Sequence, residues 1–124
     1  MSSSNTAPIS ISKDITFVLT VKVYIDPSQT NEFFALFKPA YESVLAEPEC
    51  RFFIVNTTQE PRCISWVEGW SKDVQWFMAE QMTKSYYQPY LSKTEGMFIK
   101  PREFEFHTPQ EGMCHFKLPL PQID

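Results

Sequence analysis

A chain of 124 residues with a formal charge of -4 and no dense run of Lys or Arg is large enough for one domain with one core, and its charge works against electrostatic binding to nucleic acid or an anionic membrane. Aromatic residues make up 15% of it, eleven of them Phe, which calls for either a large core or an aromatic-lined cavity. Cys50, Cys63 and Cys114 are odd in number and match no Cys-x-x-Cys or Cys/His spacing. Three glycines give a nucleotide-cradling loop almost nothing to be built from, and no Ser/His/Asp set stands out, so disulfide frameworks, zinc sites, kinases and common hydrolases are disfavoured.

Residues 1–14 are rich in Ser and Asn, lack a basic start followed by an apolar run, and read as a disordered leader of a cytoplasmic protein. No apolar run is long enough to span a bilayer. ITFVLTVKVYID (residues 15–26) reads as a first, central strand, with Ile15, Phe17, Leu19, Val21, Val23 and Ile25 on one face. Asp26-Pro27 then predicts a helix start, with Gln29 completing a capping box. The helix should run to about Ala46, its core face carrying Phe33, Phe37, Ala40, Tyr41, Val44 and Leu45, with a bend at Pro39.

A second strand is expected over Arg51–Thr57, joined through Gln59–Arg62 to a third over Ile64–Trp70. On that third strand Ile64, Trp66, Glu68 and Trp70 share one face, and Cys63, Ser65, Val67 and Gly69 the other. Ser71 is placed to cap a second helix, on which Val74, Phe77, Met78, Met82 and Tyr86 form an apolar stripe beside a mixed one of Trp76, Glu80, Thr83 and Tyr87. Pro89 should break this helix near Tyr87, with a short turn after it. REFEFHT (residues 102–108) alternates as a last strand, Phe104 and Phe106 opposite Glu103, Glu105 and His107. Residues 109–124 read as an arm.

The order strand, helix, strand, strand, helix, strand predicts an α+β, ferredoxin-like βαββαβ domain over residues 15–108: a four-stranded antiparallel sheet with two helices on one face. The other face would stay open, and a homodimer packing sheet against sheet is the simplest way to cover it.

Ala46-Glu47-Pro48-Glu49-Cys50, Glu68-Gly69-Trp70-Ser71, Tyr86-Tyr87-Gln88-Pro89-Tyr90 and Pro101-Arg102-Glu103-Phe104, in this order on this succession of elements, resemble the dimeric α/β-barrel proteins of the antibiotic-biosynthesis monooxygenase type, including small fungal members associated with polyketide pathways. The resemblance implies a homodimer that needs no cofactor and oxygenates a small electron-rich aromatic, an anthrone or a hydroquinone, with the substrate supplying the electrons. Many relatives carry a histidine about ten residues after the junction tryptophan. Here Ala79-Glu80-Gln81 stand in that region, which disfavours the haem-degrading branch.

Under this reading Glu80 or His107 is the base, Arg102 and Tyr87 stabilise the resulting anion, and Trp66, Trp70, Trp76, Phe77 and Tyr90 line the substrate site. Each has a plainer role beside it: Glu80 as a solvated helix carboxylate, His107 as a surface group, Arg102 in an ion pair, the aromatics as core. Oxygen-independent cyclisation, dehydration or decarboxylation of a polyketide in the same pocket, and a non-catalytic dimeric binding or accessory protein, remain open alternatives.

Overall fold

The computed structural model describes residues 7–117. Its centre is the antiparallel sheet in the order β3-β4-β2-β5, formed by β2 (Phe17–Tyr24), β3 (Cys50–Thr57), β4 (Cys63–Trp70) and β5 (Glu103–His107). The strong alternation of β2 places it in the interior, paired on one side with β4 (Val21 opposite Trp66) and on the other with β5 (Val21 opposite Phe104). β3 and β4 form the expected hairpin, with Phe53 opposite Glu68 and Val55 opposite Trp66. This is the α+β, ferredoxin-like arrangement that the element order implies.

Helix α1 (Thr30–Leu45) is entered through a single 3-10 turn, Pro27–Gln29. Asp26 caps that turn as anticipated, accepting the Ser28 N–H at 2.8 Å. Gln29 makes no capping-box contact and sends only its backbone N–H to the Asp26 carbonyl. The helix then continues through Pro39, which lies on its exposed side, where water can meet the carbonyl that the proline leaves without a donor. Phe33, Phe37, Ala40 and Val44 face inward onto Phe17, Leu19, Val21, Val23, Ile64, Trp66 and Trp70, and this is the core.

After β4 the chain departs from the predicted single helix. Asp73, rather than Ser71, is the cap, accepting the Trp76 N–H at 2.8 Å, while the Ser71 hydroxyl donates to the Glu49 carbonyl and pins the start of β3. One α-turn, α2 (Val74–Trp76), widens at once into a π-turn, Phe77–Gln81, closed by the Met82 N–H on the Phe77 carbonyl. The helical ladder stops there. The apolar stripe is therefore interrupted: Met78 and Met82 are exposed, and Gln81 is wholly buried.

A separate helix α3 (Tyr87–Thr94) follows. Pro89 begins a helix here instead of ending one, because it falls in the first turn, where no intrahelical partner awaits its missing N–H.

Short strands β1 (Pro8–Ser10) and β6 (His115–Lys117) pair with each other as a second sheet, with Ile9 opposite Phe116. Part of the supposed leader thus has regular structure, because the arm supplies it with a partner strand. Phe116 meets Phe52 edge to face on the sheet surface away from the helices. The rest of the expected disordered leader and arm, residues 1–6 and 118–124, lies outside the described residues.

Candidate active site

β4 carries a carboxylate into the core. Its alternation turns Ile64, Trp66, Glu68 and Trp70 toward the helices, and Glu68 is only 6% exposed. Two neighbours on the same strand face satisfy it: the Trp66 indole N–H donates to Oε2 and the Trp70 indole N–H to Oε1, both at 2.9 Å. Spacing of two along a strand places flanking side chains on the same face, so one strand builds the whole clamp.

Burial pushes the Glu68 carboxyl up to about 7, with the two indole donors pulling in the opposite direction. A group poised near neutrality can both take and return a proton.

Glu68 borders a cavity of about 40 Å³ enclosed by Phe37, Ala40, Tyr41, Val44, Phe53, Trp66, Tyr87 and Tyr90. Such a space holds water but not a multi-ring molecule. Phe37 and Tyr41 also line an open hollow of about 410 Å³ with Phe34, Lys38 and Val55, so these two rings separate the cavity from an approach route. Besides Tyr41, two further phenols stand in the cavity wall, Tyr87 and Tyr90. Burial raises the Tyr90 hydroxyl to about 12, against the charge of Arg102, and leaves it without a hydrogen-bond partner among the described residues. Burial likewise raises Tyr87, whose oxygen accepts from Gln81 Nε2 at 2.9 Å.

Of the residues anticipated from sequence, Trp66, Tyr87 and Tyr90 border this cavity, and Trp70 reaches it through Glu68. Trp76 and Phe77 form a layer behind Trp70, at ring-centroid distances of 6.1 and 5.1 Å from it, and do not border the cavity. Arg102 lies over the Phe98 ring at 5.7 Å. The ion pair envisaged for it is absent among the described residues, where Glu103 instead takes Lys100 at 3.4 Å and the Tyr24 hydroxyl at 2.9 Å.

The two proposed bases are elsewhere. Glu80 is exposed, because the π-turn directs the next residue, Gln81, inward. His107 belongs to the sheet face opposite the helices, 3.2 Å from the Thr20 hydroxyl, since alternation along β5 gives the helix-facing positions to Phe104 and Phe106. Glu68 is the carboxylate that sequence reasoning passed over. Its signal was a charge on a strand face otherwise made of Ile and Trp.

No metal-holding group of three or more His, Cys, Asp or Glu occurs among the described residues, and no described helix is long and apolar enough to cross a membrane.

This site and sheet define a small ferredoxin-like protein with an acid–base group in an aromatic cavity, and the comparisons place it more closely. No family model matches the chain. A Pestalotiopsis microspora protein named "Putative monooxygenase GME11364" is 31% identical over 93 residues, covering 74% of this chain and 78% of that protein. Among solved structures, a Nitrosomonas europaea protein named "Putative antibiotic biosynthesis monooxygenase" superposes with a TM-score of 0.66 at 15% identity, covering 75% of this chain and 97% of that one. The ActVA-Orf6 monooxygenase of Streptomyces coelicolor, in complex with nanaomycin D, gives 0.67 at 14% identity, covering 88% and 95%. The chain belongs to the antibiotic-biosynthesis monooxygenase family, and the similarity to a fungal protein accords with the fungal character of the sequence resemblance.

Proposed function

We propose that this protein is a cofactor-independent monooxygenase acting on a small electron-rich aromatic of the anthrone or hydroquinone type. The observation that carries this reading is Glu68, a carboxylate poised near neutrality between two indole donors and opening on an aromatic cavity. The similarity to a protein named as a putative monooxygenase, and a fold shared with a monooxygenase solved in complex with nanaomycin D, support the oxygenase class.

In this reading Phe37 and Tyr41 swing aside to admit a flat ring, which then lies against Trp66 and Phe53. Glu68 removes a proton from the substrate methylene or phenol, and Tyr87 and Tyr90 hold the oxygen that bears the charge. For an anthrone, the carbanion passes its electron pair to dioxygen and forms a carbon-bound peroxide. Glu68 returns the proton to the peroxide. Loss of the second methylene hydrogen with cleavage of the O–O bond leaves a carbonyl and one water, so that one oxygen atom enters the product and the other leaves as water. Arg102, beside Tyr90, lowers the cost of negative charge at that end of the cavity.

The same reading makes the molecule a homodimer, two copies meeting through the sheet faces that lie away from the helices. Exposed Ile54, with Val18 and Val67 on the same face, supplies apolar surface for that contact.

The test is a mass-resolved assay against anthrones, hydroquinones and linear polyketide acids under heavy-isotope dioxygen and without oxygen. Label should enter product only in its presence, and Glu68→Gln should lower kcat by about 100-fold or more, as expected for removal of a general base. Oxygen-independent release of water or carbon dioxide would sink the oxygenase and favour a cyclase or decarboxylase.

A further inference from the structure

We infer that Lys84, Glu47, Tyr86 and Gln81 form a one-way hydrogen-bond chain that obliges the Tyr87 hydroxyl to donate into the cavity, toward an acceptor oxygen of the bound ligand. The inference rests on the reading of that cavity as the substrate site.

The direction is fixed from the surface inward. Lys84 Nζ lies 2.7 Å from Glu47 Oε2, and an ammonium can only donate. The same carboxylate oxygen takes the Tyr86 O–H at 2.8 Å. Tyr86 has one proton and gives it to Glu47, so its oxygen must act as acceptor toward Gln81 Nε2, 2.6 Å away. That contact sets the orientation of the amide, since a carbonyl oxygen turned to this position would face an oxygen whose proton is engaged elsewhere. The second amide hydrogen then falls on Tyr87 Oη at 2.9 Å.

Tyr87 therefore accepts from the protein and has its own proton left to give. It donates no well-formed hydrogen bond among the described residues, the nearby Tyr86 oxygen already takes the Gln81 amide, and Tyr87 lines the same cavity as Glu68. Gln81 is wholly buried, and its carbonyl oxygen has no partner among the described residues. A core position kept for packing alone would not hold an amide at that cost.

The cavity is thus polarised: Glu68 accepts from the ligand and Tyr87 donates to it. The ligand class that fits carries an acceptor oxygen, a carbonyl or phenolate, on a flat ring system that lies against Phe53 and Trp66 once Phe37 and Tyr41 have swung aside. Gln81, Tyr86, Glu47 and Lys84 touch no ligand and are positioning residues.

The experiment compares binding of 1-tetralone, which accepts but cannot donate a hydrogen bond, with binding of tetralin, which does neither, by calorimetry at neutral pH. Wild type should prefer the ketone by roughly tenfold, the worth of one net hydrogen bond. Tyr87→Phe should erase the preference. Glu47→Ala, distant from the ligand, should bring it most of the way to unity by releasing the Tyr86 proton and freeing the amide to turn, yet should change nothing further in the Tyr87→Phe background. Tyr86→Phe, which removes the oxygen that orients the amide, gives the same reading if Glu47→Ala does not fold.

Equal affinities in wild type, no binding of either compound, or full preference retained in both Glu47→Ala and Tyr86→Phe would overturn the inference. The preference is independent of turnover. A ketone preference without oxygen incorporation removes the oxygenase and keeps the polarised cavity, and incorporation without a preference does the reverse.

Discussion

Glu68 makes the stability of the molecule depend on pH in a direction opposite to that of an ordinary salt-bridged carboxylate. Its folded value of about 7 lies above the usual 4.5, so between those limits the folded chain holds a proton that the unfolded chain releases. Stability therefore falls as pH rises through that window and levels off above about 7. The full drop is about 3 kcal/mol, from the size of the shift at 1.4 kcal/mol per unit. Denaturation midpoints at pH 5 and pH 8 should show this loss in wild type, and it should vanish in Glu68→Gln, whose amide cannot titrate. A slope that survives the substitution would mean that another group is responsible. Glu68→Gln should also be less stable at pH 5, because its NH2 faces an indole N–H, donor against donor.

The sequence marked Glu68 only weakly. Glutamate is seldom buried, so a place in the Ile64, Trp66, Trp70 row does not by itself set this residue above Glu80 as a candidate base. The two indole donors that make burial tolerable follow from spacing along the strand, and only the folded structure shows both turned onto the same carboxylate.

At the scale of elements, period-two alternation made all four strands of the main sheet legible, because one buried face leaves little freedom of register. The segment after β4 was not legible. A helical stripe presumes a continuous ladder, and the chain between Trp70 and Tyr87 spends its residues on one α-turn, one π-turn and a bend. The π-turn is what sends Gln81 inward beneath Tyr86 and Tyr87, and nothing in the local residue types announces it.

A second device is written between strands. Phe52 lies across Gly69 from the neighbouring strand, and a Cβ on Gly69 would come within 2.1 Å of the Phe52 ring. Gly69→Ala should cost about 1–3 kcal/mol through forced displacement of that ring. Combining it with Phe52→Ala should recover part of the loss relative to the sum of the two single changes. Additive losses would show that the ring can move aside freely, and that the glycine serves some other end. Phe116 rests on the same ring, so Gly69→Ala should also loosen the β1/β6 pair, read as faster amide exchange at Ile9 and Phe116.

At the scale of the whole molecule, the two faces of the sheet do different work. One is closed by α1 and α3 and holds the cavity. The other carries Val18, Thr20, Lys22, Ile54, Val67, Glu103, Glu105 and His107, with the β1/β6 pair touching it at Phe52. Ile54 there is 52% exposed, and Lys22 lies opposite Glu103. A two-fold copy laid on this face would bury the isoleucine and bring each lysine near acidic groups of its partner, which is the self-complementarity that an isologous dimer requires.

Sedimentation equilibrium at micromolar concentration should accordingly give twice the mass of the 14.5 kDa chain. Ile54→Lys should shift the population to monomer, because it replaces apolar surface in the contact with a charge on each copy. The substitution is at an exposed position of one chain, so the intrinsic stability of the monomer should change by no more than about 0.5 kcal/mol. Loss of the dimer with the fold intact would locate the interface on this face. A wild-type monomer would remove the second copy, and a dimer indifferent to Ile54→Lys would move the contact to another surface.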